Sequence, residues 1–470
     1  MICVLLLLLL LSLGVLVFQT GIMSAFLIFA AFIVSVFGGI ALIRRRQYIS
    51  FLFVGSYLSM YFANPFLVSL GVFPLESSTS YGMYALSNFL LIIGLALFFV
   101  GTTITKSTTL SSPSPKIYFN RELIITILTL LFLLAFVGLC IVFVFGGGFA
   151  LLKATRAELA AQQMTMGGMI RLVGIYMFFP LLVAAPLLIT QLSKPLQTVP
   201  WIILFALLIV HFLVFRARTQ LVTVLASIAI SILLKNRIIF VYGQSAHVFL
   251  RSVRDYFSVG LLVVGIFVGS IVITFVRGSI GVGRVEFGHG FVQVWLEKSF
   301  DGGDFGYQKV QRAAYNLFPS EHPFLLGQTY YRVLLIPIPR FIMPNKPENE
   351  QRVFCSVIDR EMYETGGTIP AGILGDLYVN FGHFGIAGMI VYGMLLGRER
   401  YYRLWHWLML AGSMTWLFHF VRGAFTNPLV TFVIYMIITI ILERLLAPDY
   451  TVDEPEAAGE MLYEEDYAGY

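Results

Sequence analysis

Of the 470 residues, 58% are hydrophobic and only 12% are charged, and the mean hydropathy is +0.86. A soluble domain carries roughly 25% charged residues, and a globular exterior needs more polar cover than this chain can supply. A soluble fold is therefore excluded and a membrane protein is expected; the net charge of +6 averages basic loops with an acidic tail, and no nucleic-acid partner is expected.

The apolar runs are continuous rather than alternating, which suits helices crossing a core of roughly 30 Å rather than the strands of a closed barrel. A helix in lipid satisfies its own backbone hydrogen bonds. The pattern predicts an all-α, polytopic membrane protein of about twelve spans. They run near 2–19, 22–43, 50–73, 83–104, 122–145, 169–190, 200–215, 219–234, 257–276, 370–397, 404–421 and 428–446. The first lacks a basic n-region and a small-residue cleavage site, so it reads as an uncleaved helix. The tenth is long and contains Gly382 and Gly385, which predicts a broken or re-entrant segment leading into a true span.

Four units follow: an N-terminal bundle of about nine spans over 1–276, a large loop over 277–368, C-terminal spans over 369–446, and an acidic tail over 447–470 that reads as disordered. Basic clusters set the orientation. Arg44, Arg45 and Arg46, then Lys106, Lys116 and Arg121, then Lys194, then Lys235, Arg237, Arg251 and Arg254, then Arg398, Arg400 and Arg403 all fall on one side of a twelve-span chain. That side is expected to be cytoplasmic, with both termini on it and the large loop outside.

Several basic residues break this pattern. Arg216 and Arg218 occupy the short turn between spans seven and eight, Arg277 and Arg284 begin the large loop, Arg340 and Lys346 lie late in it, and Arg422 ends span eleven. Positive charge at an outer boundary is unfavourable for topology; its physical use is to bind anions, and a guanidinium fork matches phosphate bidentately. The plainer alternative is snorkelling to lipid headgroups. Asp376 lies in an apolar stretch near the membrane boundary, where a carboxylate is a functional candidate as a general base or a ligand for a substrate hydroxyl, or else pairs with an arginine. His383 shares its helical face if the helix is continuous. Glu321 and His322 in the loop are weaker candidates for a base. The three cysteines form no C-x-x-C pair, the histidines have no metal-ligand spacing, and no Walker-type loop occurs, so neither a metal nor a nucleotide cofactor is expected.

Four segments together resemble the bacterial Wzy-type polymerases of O-antigen and capsular repeat units. They are Arg216 to Thr219 at a short turn, Ile338 to Pro347 late in the loop, Gly372 to Gly385 entering span ten, and Arg422 with Gly423 after span eleven. Met343 stands where that family usually has an aromatic residue, and Ala217 where it often has glycine, so Arg218 fits the first arginine better than Arg216. The resemblance implies a glycosyltransferase that joins polyprenyl-pyrophosphate-linked oligosaccharides on the outer face of the cytoplasmic membrane, working beside a chain-length regulator and a flippase. It further implies a pyrophosphate clamp of Arg218, Arg340 and Arg422 assisted by Lys346, with Asp376 or His383 on the acceptor side. A ligase using the same donor and a lipid-linked oligosaccharide transporter are the alternatives. The topology is directly testable: a reporter fused after Arg254 stays cytoplasmic and one fused at Ser320 is exported, and an exported reporter at Arg254 would shift the register of spans and remove the argument from misplaced arginines.

Overall fold

The structure is a computed structural model that describes residues 21–45, 47–69, 81–105, 121–145, 192–215, 306–335, 345–364, 367–398, 404–423 and 425–446, with scattered positions in 174–190 and residues 228, 338 and 343. The expected spans at 2–19 and 257–276, that at 219–234 apart from residue 228, the first part of the large loop and the acidic tail lie outside the described residues.

Long apolar sequences with few helix breakers form α1 (Gly21–Arg44), α2 (Tyr48–Tyr61), α3 (Ala63–Ser69), α4 (Tyr81–Ile104), α5 (Arg121–Phe145) and α6 (Lys194–Phe215). Shorter and more polar helices follow: α7 (Tyr307–Leu317), α8 (Gln328–Leu335), α9 (Glu350–Ile358) and α10 (Arg360–Glu364). The chain then forms α11 (Gly372–Phe381), a 3₁₀ segment (Gly382–Ala387), α12 (Gly388–Leu396), α13 (Leu404–Val421) and α14 (Thr426–Leu446), and no strand occurs among the described residues. Among the described residues, five stretches are long and apolar enough to cross a membrane: Phe26–Ile43, Gly82–Ile104, Arg121–Phe145, Lys194–His211 and Gly372–Leu396. Large side chains such as Phe29, Phe32, Leu133, Phe136, Ile202 and Val391 face outward from them, as expected where lipid is the solvent.

Small residues set the closest helix crossing. The most extensive packing among these helices joins α4 to α12. A methyl placed on Gly101 would lie 2.1 Å from the Ile390 carbonyl oxygen, and one on Gly393 would lie 2.1 Å from the Phe98 oxygen. Backbones approach this closely only where no side chain intervenes. Nearby, the buried Gln47 donates its amide to the carbonyls of Gly397 at 2.8 Å and Thr102 at 3.2 Å, tying the ends of both helices together.

The tenth span is broken, as its glycines predict. Gly382 has a φ of +62°, a conformation glycine adopts without penalty, and Gly385 lies so close to the Leu377 carbonyl that a methyl would meet it at 2.1 Å. The 3₁₀ segment between them redirects the chain from α11 to α12. This corrects one expectation: the helix is not continuous, so His383 does not share a face with Asp376. His383 is exposed, its ring 5.2 Å from Tyr378, whereas Asp376 is buried.

The described part of the large loop packs on α11. Ala314, Phe318 and Phe354 from the loop join Ala371, Tyr378 and Val379 in a small second core, and α7 also touches α4. A buried polar seam secures that second contact. Gln308 donates to Ser87 at 3.1 Å and to Asn88, and accepts from Arg312 at 2.9 Å; the Arg312 guanidinium stands 5.3 Å from the centre of the Tyr84 ring.

The crossing gives a sharp expectation. Gly393→Ala should destabilise the protein by about 1–3 kcal/mol through overpacking, read as a lower Tm in detergent. Gly55→Ala, where a methyl meets nothing within 4 Å, should leave Tm unchanged or raise it, since alanine is the better helix former. Equal Tm for both variants would contradict backbone contact at Gly393.

Candidate functional site

Asp376 occupies the second turn of α11 and is 1% exposed. A carboxylate so placed must be compensated by donors or opposite charge. One turn on, the Asn380 amide donates to the Asp376 carboxylate at 3.1 Å and to its backbone carbonyl at 2.8 Å. From the loop, the fully buried Thr329 of α8 places its hydroxyl 3.1 Å from the Asn380 side-chain oxygen and 3.4 Å from the Asp376 carboxylate. Tyr330 also hydrogen-bonds Asp376, and burial together with that carboxylate holds its phenol well above the ordinary tyrosine range. The Tyr330 hydroxyl lies 3.5 Å from that of Tyr392 in α12. Phe425 packs on Tyr330 at 4.7 Å, and Phe420 on Tyr392 at 4.8 Å. The carboxylate therefore sits in a pocket of hydroxyl and amide donors behind aromatic rings.

Local backbone geometry delivers these groups. The turn Leu326–Gly327, with positive φ at both residues, starts α8, and the Leu325 amide donates to the Val379 carbonyl at 2.9 Å. The loop helix is thereby pinned to the helix that carries Asp376. At the other end of α11, the Gly372 amide donates to the Arg422 carbonyl at 3.1 Å. Gly372 and Gly423 both have positive φ, and a methyl on Gly423 would lie 2.3 Å from the Gly372 carbonyl carbon. The Tyr61 hydroxyl locks this junction, 3.4 Å from both the Leu374 amide and the Val421 carbonyl. Arg422 thus follows α13 at the point where the start of α11 is docked.

Of the residues singled out by sequence, the structure brings together Asp376, on α11, and the turn after α13 that holds Arg422, whose carbonyl accepts from the first residue of α11. Lys346 is buried and donates to the Ile338 carbonyl at 3.1 Å, closing the proline-rich segment on itself. Glu321 is exposed, and His322 packs its ring 5.1 Å from Phe318 and contacts the Pro323 carbonyl; they line a shallow depression with Pro319, Phe324 and Leu326, apart from the Asp376 donors. Arg216, Arg218, Arg277, Arg284 and Arg340 lie outside the described residues. No group of three or more His, Cys, Asp or Glu that could hold a metal occurs among the described residues.

Sequence reasoning missed Thr329, Tyr330, Asn380, Tyr392, Arg332 and Glu350. Glu350 is wholly buried at the start of α9, and neither carboxylate oxygen has a hydrogen-bond partner among the described residues. Burial and the Asp376 carboxylate push its carboxyl well above the usual range; neighbouring backbone N–H groups and the Arg332 guanidinium pull the other way. Its only sequence signal was an acid four residues after Lys346, and acids are ordinary in a first helical turn.

Chemically, a screened carboxylate with fixed donors can receive a proton from a hydroxyl brought to it. Removing one donor tests the arrangement. Thr329→Val keeps the shape but leaves two buried acceptors short of a partner, and should lower stability by about 1–3 kcal/mol. Thr103→Val, whose exposed hydroxyl bonds only its own helix at 2.7 Å, should be nearly neutral. Matching thermal unfolding of both variants would contradict the contact of Thr329 with Asp376 and Asn380.

In comparisons with known proteins, the chain matches no family model, no curated protein and no solved structure.

Proposed function

We propose that this protein is a polysaccharide polymerase that joins polyprenyl-pyrophosphate-linked oligosaccharide repeat units at the outer face of a bacterial cytoplasmic membrane. The observation that carries this reading is the buried Asp376 carboxylate, held by Thr329, Tyr330 and Asn380 where a loop helix meets a broken membrane helix. The Arg422 turn is docked on the start of the same helix. The basic residues at Arg218, Arg340, Arg422 and Lys346 supply the anion-binding half of the argument from sequence.

In the reaction, the glycosidic carbon of the growing chain loses its bond to pyrophosphate, and the electron pair leaves on the lipid pyrophosphate. The acceptor sugar's hydroxyl oxygen bonds that carbon, and its proton passes to Asp376. The leaving group is already activated, so no nucleotide is required. Guanidinium groups stabilise the charge that grows on the pyrophosphate, each charge-assisted hydrogen bond contributing about 1.5–3 kcal/mol. Both termini lie in the cytoplasm, and a flippase and a chain-length regulator are the working partners.

Glycan profiling of a deletion strain separates this reading from its rivals. Loss of polymerisation leaves single repeats on the final acceptor; loss of a ligase leaves lipid-linked polymer; loss of a transporter traps units inside. Asp376→Asn preserves shape and hydrogen bonding but accepts no proton at neutral pH. It should bind lipid-linked donor normally and transfer on the order of a hundredfold more slowly or worse. Normal turnover in a folded Asp376→Asn protein would remove Asp376 as the base.

A further inference from the structure

We propose that the apolar face of α8 and the break between α11 and α12 are seated together in the acyl chains of the bilayer leaflet on the loop's side. Part of the large loop is then a membrane-embedded foot and not an aqueous cap. The inference needs only the membrane character of the chain and no assumption about its reaction. From Pro323 to Pro339 the only charged residue is Arg332, and from Asn380 to Gly397 there is no Asp, Glu, Lys or Arg. The fold brings these two sparsely charged segments against each other. The Leu325 amide is bonded to the Val379 carbonyl. A methyl on Gly382 would lie 3.2 Å from the Phe324 ring, and one on Gly327 would lie 3.3 Å from the Phe381 ring. Tyr330 adds its own ring 5.5 Å from that of Phe381.

The side chains that this junction leaves uncovered are ill suited to water. Phe384 is 90% exposed, and Leu326 and Leu334 are each 80% exposed, more than any other large apolar side chain among the described residues. Tyr331 and Phe381 are exposed with them. Tyr331 and Leu334 stand three residues apart and so share one face of α8, turned away from the buried Thr329. Clustered apolar exposure of this kind marks contact with a protein or a membrane. Continuity decides for lipid. Val391 and Leu395 face outward from α12, within a stretch apolar enough to cross a membrane. Ile437 and Ile441 face outward from the apolar helix α14, against which α8 packs. The patch extends the surface that both neighbouring helices present to lipid. A short helix with one apolar face, a flanking arginine and tyrosines at its edge suits the boundary between acyl chains and headgroups. The exposed Ser320 and Glu321 mark where the chain returns to water. One side of α8 thus offers Thr329 and Tyr330 to Asp376 while lipid supports the other.

Full-length protein in nanodiscs of phosphatidylethanolamine and phosphatidylglycerol tests this without any activity. A photoreactive p-benzoylphenylalanine is placed at Leu334 or Phe384, with Phe136, outward on α5, as the lipid reference and Glu321 as the aqueous one. After irradiation, mass spectrometry should find phospholipid adducts at Leu334 and Phe384 at yields near that of Phe136 and about tenfold or more above that of Glu321, as burial in the acyl boundary requires. Thermal unfolding gives a second readout. Leu326→Ser combined with Leu334→Ser should lower Tm in the nanodisc, whereas the same change on a water-facing surface would leave Tm unchanged or raise it. Adducts to a peptide of this chain or of a second copy in place of phospholipid would overturn the proposal. So would lipid yields no higher than at Glu321, or an undiminished Tm in the double variant.

Discussion

A carboxylate inside an apolar segment has to be accommodated, and the surroundings of Asp376 can be read as the means of doing so. An isolated ionised carboxyl is too costly to leave dry. Asn380 answers from the same helix, Thr329 and Tyr330 answer from the loop, and Tyr392 extends the chain of hydroxyls to the next helix. Thr329 and Tyr330 arrive from an element that could have packed elsewhere. The need for compensation therefore specifies where α8 rests and ties a polar loop to an apolar bundle. Such networks are unforgiving: a missing member leaves a buried group without a partner, at the full desolvation penalty.

Glycines make that accommodation geometrically possible. Gly372 and Gly423 let two turns touch through their backbones, so the end of α13 and the start of α11 become one junction locked by Tyr61. Gly382 and Gly385 then end α11 soon after Asn380 and send the chain on to α12. At the other end of α12, Gly393 against Gly101 fixes the depth at which the broken helix is seated on α4. Small residues thus hold the backbone while polar residues satisfy the buried charge.

Much of this was legible in the sequence, and the failures have physical causes. Continuous apolar runs outlined α5, α13 and α14 to within a few residues, because lipid demands uniform hydrophobicity over a fixed length. Gly382 and Gly385 marked the break, and Asp376 stood out because charge is rare in such surroundings. His383 was misplaced because its pairing with Asp376 assumed the helix that those same glycines interrupt. The partners of Asp376 were invisible for another reason. Thr329, Tyr330 and Glu350 sit in an amphipathic loop where threonine, tyrosine and glutamate are commonplace, and only tertiary packing buries them. The contact of Gly101 with Gly393 joins residues far apart in the chain, and no local pattern announces it.

The central claim is that a nucleotide-independent glycosyl transfer takes place at the Asp376 junction. Purified protein in lipid nanodiscs, supplied with polyprenyl-pyrophosphate-linked repeat units and no nucleotide, tests it most directly by mass spectrometry of the products. The account predicts dimers and longer oligomers of the repeat, with one polyprenyl pyrophosphate released for each new bond. Recovery of only intact single units from a folded, donor-binding protein would contradict it.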